Sequence, residues 1–250
     1  MASVKEHYDS HLAPLYTWIS GGAAGPRARF SELLNAHHLV PSRPGAPALD
    51  LGAGSGFQSL PLASAGYAVT AVDLSETLLA ELSANAAAEH LTVSTILGDL
   101  CAVMRDVASS APEVIVCMGD TLTHLDTLTQ VEQLLHDAAT TLAPGGHLLI
   151  SFRDYHTSRR EGSDRFIPVR SDDNRIFTCF LDYAETHVAV HDIVHTRETT
   201  GWKMSLGVYP KLRLDPSRVR TCLQSAGLKL VRDDLQAGLA TFVARRPAAR

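Results

Sequence analysis

The chain has 250 residues, 45% hydrophobic and 20% charged, enough apolar material for one well-buried domain with an insertion or for two small ones. Its net charge of -5 argues against a nucleic-acid partner, because displacing counterions from phosphates needs a Lys/Arg surface. The 4 cysteines, Cys101, Cys117, Cys179 and Cys222, suggest neither a disulfide framework nor a metal-ligand pair; no apolar run is long enough to span a membrane and no apolar leader core stands at the start, so a cytoplasmic protein is expected.

Residues 1–40 come first. Tyr8, Leu12, Leu15, Tyr16 and Ile19 recur at an approximate helical spacing, interrupted by Pro14 and stopped at Gly21-Gly22, which predicts a hinged helical lid. Residues 41–157 alternate short apolar strands (46–51, 67–72, 91–97, 114–118 and 147–152) with helices (57–65, 76–88 and 128–142). Such alternation implies a parallel sheet covered by helices on both faces. Pro144-Gly145-Gly146 ends the last of these helices and turns the chain into the fifth strand. Over residues 158–214 the character changes: 175–183 and 186–196 are rich in β-branched and aromatic residues and read as an antiparallel hairpin, with 202–209 as a further strand, an inserted flap. Residues 215–250 supply a helix over 216–226, stopped by Gly227, and two last strands over 228–234 and 239–245.

The most informative stretch is Leu49-Asp50-Leu51-Gly52-Ala53-Gly54-Ser55-Gly56-Phe57-Gln58. A strand ends at Leu51, and the glycines let the backbone turn sharply, pass close under a ligand and enter a helix near Phe57. Asp73 closes the next strand, 17 residues after Gly56, where a carboxylate accepts both hydroxyls of a ribose. The spacing is Gly-x-Gly-x-Gly; the dinucleotide fingerprint has a further intervening residue, and Phe57 stands where its last glycine belongs.

With Asp50 two residues before the first glycine, this stretch resembles the first motif of class I S-adenosylmethionine-dependent methyltransferases. The resemblance implies an α/β, Rossmann-like fold: a mostly parallel seven-stranded sheet with helices on both faces and an antiparallel edge hairpin, here carrying the lid and the flap. It implies S-adenosylmethionine as cofactor, held by Asp50, Gly52, Ala53, Gly54, Gly56 and Gln58, by Asp73 and Leu74, by Asp99 and Leu100 at the adenine, and by Cys117 and Met118 at the end of the fourth strand. Asp99 equally suits the cap of the helix that follows. Further along, Gly119-Asp120-Thr121-Leu122-Thr123-His124-Leu125 is similar to the Gly-Asn-Ser-x-x-His-Leu segment of the glycine N-methyltransferase-like branch, and Arg153-Asp154-Tyr155 to its Arg-Asn-Tyr-Asp run. Asp120 and Asp154 stand where that branch has Asn. No Asn/Asp-Pro-Pro-aromatic turn follows the fourth strand, which disfavours nucleobase and protein-glutamine acceptors.

Methyl transfer is an in-line displacement on a sulfonium carbon, so the protein mainly aligns the reactants and excludes water. Asp120 or His124 would take the proton of an amine acceptor or hold the amine in place, and Arg153 would meet an anion of the cofactor, the substrate or Asp154; these three form the expected catalytic group, though Asp120 equally suits a helix cap and His124 packing under the lid. Tyr8, Asp154, Tyr155, Tyr209 and Arg213 are expected on the substrate side, with Lys211 in the same basic stretch. Tyr16 and Trp18 of the lid would present ring faces to the sulfonium. His187, His191 and His195 lie at steps of four along a strand, roughly 13 Å apart and too far for one ion, so no metal is expected. The expected activity is methylation of a small molecule, preferably on nitrogen, by a monomer or homodimer that binds no nucleic acid and no membrane. Oxygen or sulfur acceptors, a non-methylating transferase or cyclase using the same cofactor, and a cofactor-binding regulatory subunit stay open; the loop spacing disfavours a nicotinamide oxidoreductase.

Overall fold

Between Pro47 and Arg153 the chain alternates strand and helix as its periodicity predicts. The computed structural model describes residues 4–106 and 111–248, so the first three residues of the expected lid and the last two of the C-terminal segment lie outside it. Strands β1 (Pro47–Leu51), β2 (Ala68–Asp73), β3 (Val93–Leu97), β4 (Val114–Cys117) and β5 (His147–Arg153) are parallel. Four strands of a second sheet follow, β6 (Phe166–Ser171), β7 (Arg175–Tyr183), β8 (His187–Glu198) and β9 (Gly201–Leu212), and then β10 (Lys229–Gln236) and β11 (Leu239–Arg245). The first sheet has 7 strands in the order β10-β11-β5-β4-β1-β2-β3, with β11 antiparallel to both neighbours.

Burial explains why the centre of this sheet forms. Val114, Ile115, Val116 and Cys117 of β4 are all buried, as the continuous apolar run of a strand covered on both faces requires. The helix Leu128–Thr141 starts on a capping box between Thr127 and Gln130 and lays Val131, Leu134, Leu135 and Ala138 on the same core. Each such Leu or Val contributes about 1.5–3 kcal/mol relative to an exposed position. The strand order reverses direction between β1 and β4, and in open sheets of this kind the ligand crevice lies at the carboxyl ends of the strands flanking that reversal.

The structure corrects the expected flap and adds detail to the N-terminal segment. The flap is a four-stranded antiparallel sheet, β6-β7-β8-β9, larger than a hairpin. β6 escaped notice because nearly all of its side chains are exposed, leaving no alternation to read, and because Pro168 and the adjacent bulge break its pairing. The N-terminal stretch, expected as a helical stripe interrupted at Pro14, is a series of short turns: a helical turn Val4–His7, a π turn Tyr8–Leu12, a 3-10 turn Ala13–Leu15 and a second helical turn Tyr16–Ile19. Pro14 forces part of this by removing a backbone donor. The helix Ala24–Ala36 is additional; only Phe30, Leu33 and Leu34 face the core, too few to make a stripe legible. No helix among the described residues is long and apolar enough to cross a membrane.

Candidate active site

The glycine loop leaves β1 with Gly52, Gly54 and Gly56 at φ +75°, +53° and +92°, conformations that L side chains rarely adopt. Space decides as much as strain. A Cβ on Gly52 would sit 2.3 Å from Thr121 Cγ2, and one on Gly54 3.2 Å from the Tyr16 ring. Asp73, at the end of β2, accepts the Gly54 N–H at Oδ2 (2.8 Å) and the Ser75 N–H at Oδ1 (2.9 Å), so the acid that would bind a ribose also fixes the loop. Burial pushes its carboxyl up, against the lowering effect of those backbone donors.

A cleft of ≈ 710 Å³, open mouth included, lies over this loop. Gly52, Gly54, Asp73, Leu74, Asp99 and Leu100 line it together, with Tyr8 and Tyr16 of the N-terminal segment and with His124. Asp99 also caps the following helix, accepting the backbone N–H groups of Cys101 (2.9 Å) and Ala102 (3.1 Å). Tyr16 stacks on Phe57, with ring centroids 5.6 Å apart. The bare glycine backbone, the acid beyond it and the aromatic rings above fit S-adenosylmethionine. Lys5, Val72, Leu78, Gly98, Thr121 and Leu125 complete the lining without having been singled out by the sequence, since no residue type among them signals a ligand.

Behind the cleft lies a part-buried polar group. Asp120 follows β4, accepting the Arg153 backbone N–H at Oδ1 (3.0 Å) and the Tyr155 hydroxyl at Oδ2 (2.9 Å), and Lys211 of β9 donates to the same Oδ2. Burial alone would raise the Asp120 carboxyl, but Lys211, His124 and these donors hold it below the ordinary value. The 3-10 turn Thr121–His124 then places His124 against the cleft. Its Nε2 is 3.3 Å from the Tyr8 hydroxyl, while its Nδ1 is buried without a partner among the described residues. Burial first and Lys211 second push the imidazole down to about 3, so it is neutral at physiological pH.

Several expected residues serve other ends. Arg153 is exposed and offers Asp120 its backbone N–H; the cation that meets Asp120 is Lys211. The Asp154 carboxylate is taken up by its own turn, accepting the N–H groups of His156 and Thr157. Arg213 clamps the backbone oxygens of Tyr155, Ala184 and Glu185. Trp18 packs under the guanidinium groups of Arg170 and Arg175 of the flap and does not line the cleft. Ala53 and Cys117 are core residues, Met118 packs against the core, Gln58 precedes the helix Ser59–Ser64, and Gly56 exists so that the loop can meet Leu82 and Leu60. Tyr155 and Tyr209 lie behind the cleft, beside Lys211.

Asp50 is buried beneath the loop. Ser59 Oγ donates to its Oδ2 (2.6 Å), Oδ1 has no partner, and burial, aided by Asp73, raises its carboxyl to about 7. A raised acid binds its proton more tightly when folded, so its contribution to stability falls as pH rises from the unfolded value of about 4 to the folded value. In thermal melts, Asp50→Asn is expected to gain about 1–3 kcal/mol relative to the parent between pH 5 and pH 8.5. An unchanged difference between the two pH values would mean that the carboxyl ionises freely in the fold.

A family described as a methyltransferase domain matches residues 48–146. The glycine/sarcosine N-methyltransferase of Aphanothece halophytica is 29% identical over 114 residues, 46% of this chain and 43% of that protein, so the chain spans under half the length of the curated relatives it matches. The CcbJ methyltransferase of Streptomyces caelestis shares the fold with TM-score 0.75 and 23% identity over 99% of this chain and 97% of that one. So does the amino pentose methyltransferase CalS10 of Micromonospora echinaspora with S-adenosylmethionine bound, at TM-score 0.71 and 17% identity over 90% and 92%. Residues 48–146 thus match a methyltransferase domain, on a chain with the fold of the class I S-adenosylmethionine-dependent methyltransferases.

Proposed function

We propose that the protein transfers a methyl group from S-adenosylmethionine to the nitrogen of a small amine. The observation that carries this reading is the convergence of Gly52, Gly54, Asp73, Leu74, Asp99 and Leu100 on one cleft that also holds Tyr8, Tyr16 and His124. The cofactor supplies an activated methyl on a sulfonium. The Gly52 and Gly54 backbone accommodates its amino-acid part, Asp73 accepts its ribose hydroxyls and the side chains of Tyr8 and Tyr16 cover it. The N-terminal segment acts as a lid and the β6–β9 sheet as the flap behind it.

The nitrogen preference comes from His124. Its imidazole stays neutral, and in the tautomer whose Nε2–H donates to the Tyr8 hydroxyl, Nδ1 is an acceptor for an amine N–H, orienting the nitrogen lone pair toward the methyl. Asp120 is neutralised by Lys211 and holds the turn that carries His124; it is not the base. The glycine/sarcosine N-methyltransferases among the relatives support the same acceptor chemistry, a primary or secondary amine on a small polar molecule.

The test is calorimetric titration with S-adenosylhomocysteine, with NAD and NADP alongside, followed by label transfer from S-adenosylmethionine to glycine, sarcosine and amino sugars. Binding of the first ligand alone, at about micromolar Kd, with label appearing on an amine, is the expected result. Preference for NAD, or methylthioadenosine as the released product, would overturn the reading. His124→Ala is expected to lower kcat about 100-fold while leaving S-adenosylhomocysteine affinity within about threefold, because the ring acts on the acceptor.

A further inference from the structure

Asp192 on β8 is among the most deeply buried acids in the described structure, at 1% exposure, and nothing in the proposed chemistry uses it. Its carboxylate points into a socket on the inner face of the flap. Oδ2 lies 2.9 Å from His7 Nε2 and Oδ1 receives the Cys179 thiol at 3.1 Å, while its backbone oxygen lies 3.2 Å from His11 Nε2. His7 is itself only 2% exposed.

The opposite wall of the socket is a glycine. Gly207 pairs with Asp192 across β8 and β9, and its backbone is not in the left-handed region, so conformation does not explain it. Space does. A Cβ there would lie 2.3 Å from His7 Cε1, 2.6 Å from His7 Nδ1 and 2.8 Å from His11 Cδ2. Tyr209, two residues on and on the same face, stacks on the His7 ring with centroids 4.1 Å apart. A missing side chain, a buried carboxylate and an aromatic floor therefore shape one recess around one imidazole. The next residue, Tyr8, reaches the cleft and its hydroxyl approaches His124.

We propose that Asp192 and Gly207 form a latch for the N-terminal segment, in which His7 is the plug and Asp192 is a positioning residue that sets Tyr8 over the reaction site. The proposal rests on the cofactor reading for its kinetic consequence alone; the latch itself is a statement about this chain. Closure couples to ligand affinity because a cleft that is complete only when latched has its apparent Kd raised by the reciprocal of the latched fraction.

The decisive variant is Gly207→Ala, which leaves Asp192 and His7 unsubstituted and fills the recess that the imidazole occupies, and it is measured first by hydrogen exchange on the full chain without ligand. Residues 4–19 are expected to lose protection while β1, β4 and β5 keep theirs. S-adenosylhomocysteine affinity is then expected to fall about tenfold as the latched fraction drops to about a tenth, with methyl-transfer kcat falling as well. His7→Gln, which retains a donor near the Nε2 position, should restore most of the affinity lost in His7→Ala. Unchanged exchange over residues 4–19 in Gly207→Ala, or His7→Gln behaving as badly as His7→Ala, would overturn the latch. If the parent chain binds no S-adenosylhomocysteine, the cofactor reading falls, and the exchange result alone decides the latch.

Discussion

Asp73→Ala is expected to reduce S-adenosylhomocysteine affinity by roughly 100- to 1,000-fold, which corresponds to about 3–4 kcal/mol. Two ribose hydroxyls would each lose a charge-assisted hydrogen bond, worth about 1.5–3 kcal/mol apiece. The same substitution leaves the Gly54 and Ser75 N–H groups without their acceptor, which loosens the loop under the ligand. Asp73→Asn separates the two contributions, since its amide oxygen still accepts one backbone N–H but carries no charge. Stability should move the other way. Burial raises the Asp73 carboxyl, so keeping it ionised at pH 7 opposes folding, and Asp73→Asn is expected to melt no lower than the parent while binding at least about tenfold more weakly. Calorimetry and thermal melts on the same samples check both. Affinity unchanged in Asp73→Ala would mean that the ligand does not lie along β2, and the assignment of the cleft would fall with it.

Why the proposed cofactor side was legible in the sequence and the proposed acceptor side was not follows from what each is made of. The cofactor wall is backbone and strand ends. Glycines with positive φ, an acid closing β2 and an acid before a helix are local requirements, and local requirements leave local signatures in Gly52, Gly54, Asp73 and Asp99. The acceptor side joins segments far apart in the chain: His7 to Asp192, Asp120 to Lys211, Tyr8 to His124. No spacing encodes such pairs. Arg153 and Arg213 look like anion binders in a linear reading, yet the first points to solvent and the second is consumed by three backbone oxygens, because a strand end and a loop crossing both need donors of their own. The seven-stranded sheet was readable for the same reason as the loop, its buried strands being continuous apolar runs; the flap was only half readable, because β6 has an exposed side-chain pattern that no period marks.

Lys211→Met is the second large effect expected, and it joins stability to chemistry. The Lys211 ammonium is buried on the flap and the Asp120 carboxylate beyond β4 is mostly so, at 16% exposure, so their pairing ties the inserted sheet to the core. Removing one partner of such a pair leaves the other charged and desolvated, at a cost of about 3–5 kcal/mol. The sign with pH follows from Asp120. Its folded carboxyl lies below the unfolded value, so the pair stabilises above about pH 4 and that contribution is lost as pH falls through the lower, folded value. In Lys211→Met burial is no longer countered by the ammonium, and the carboxyl rises. Urea denaturation should therefore show the largest deficit at pH 7 and a smaller one near pH 4.5, with Asp120→Asn/Lys211→Met recovering most of it. The same ammonium helps to hold His124 neutral, second only to burial, so its loss should raise the imidazole pKa and move the acidic limb of the methyl-transfer pH profile upward. A deficit under about 1 kcal/mol, the range of exposed pairs, would show that water reaches Asp120 and that His124 owes its neutrality to burial alone.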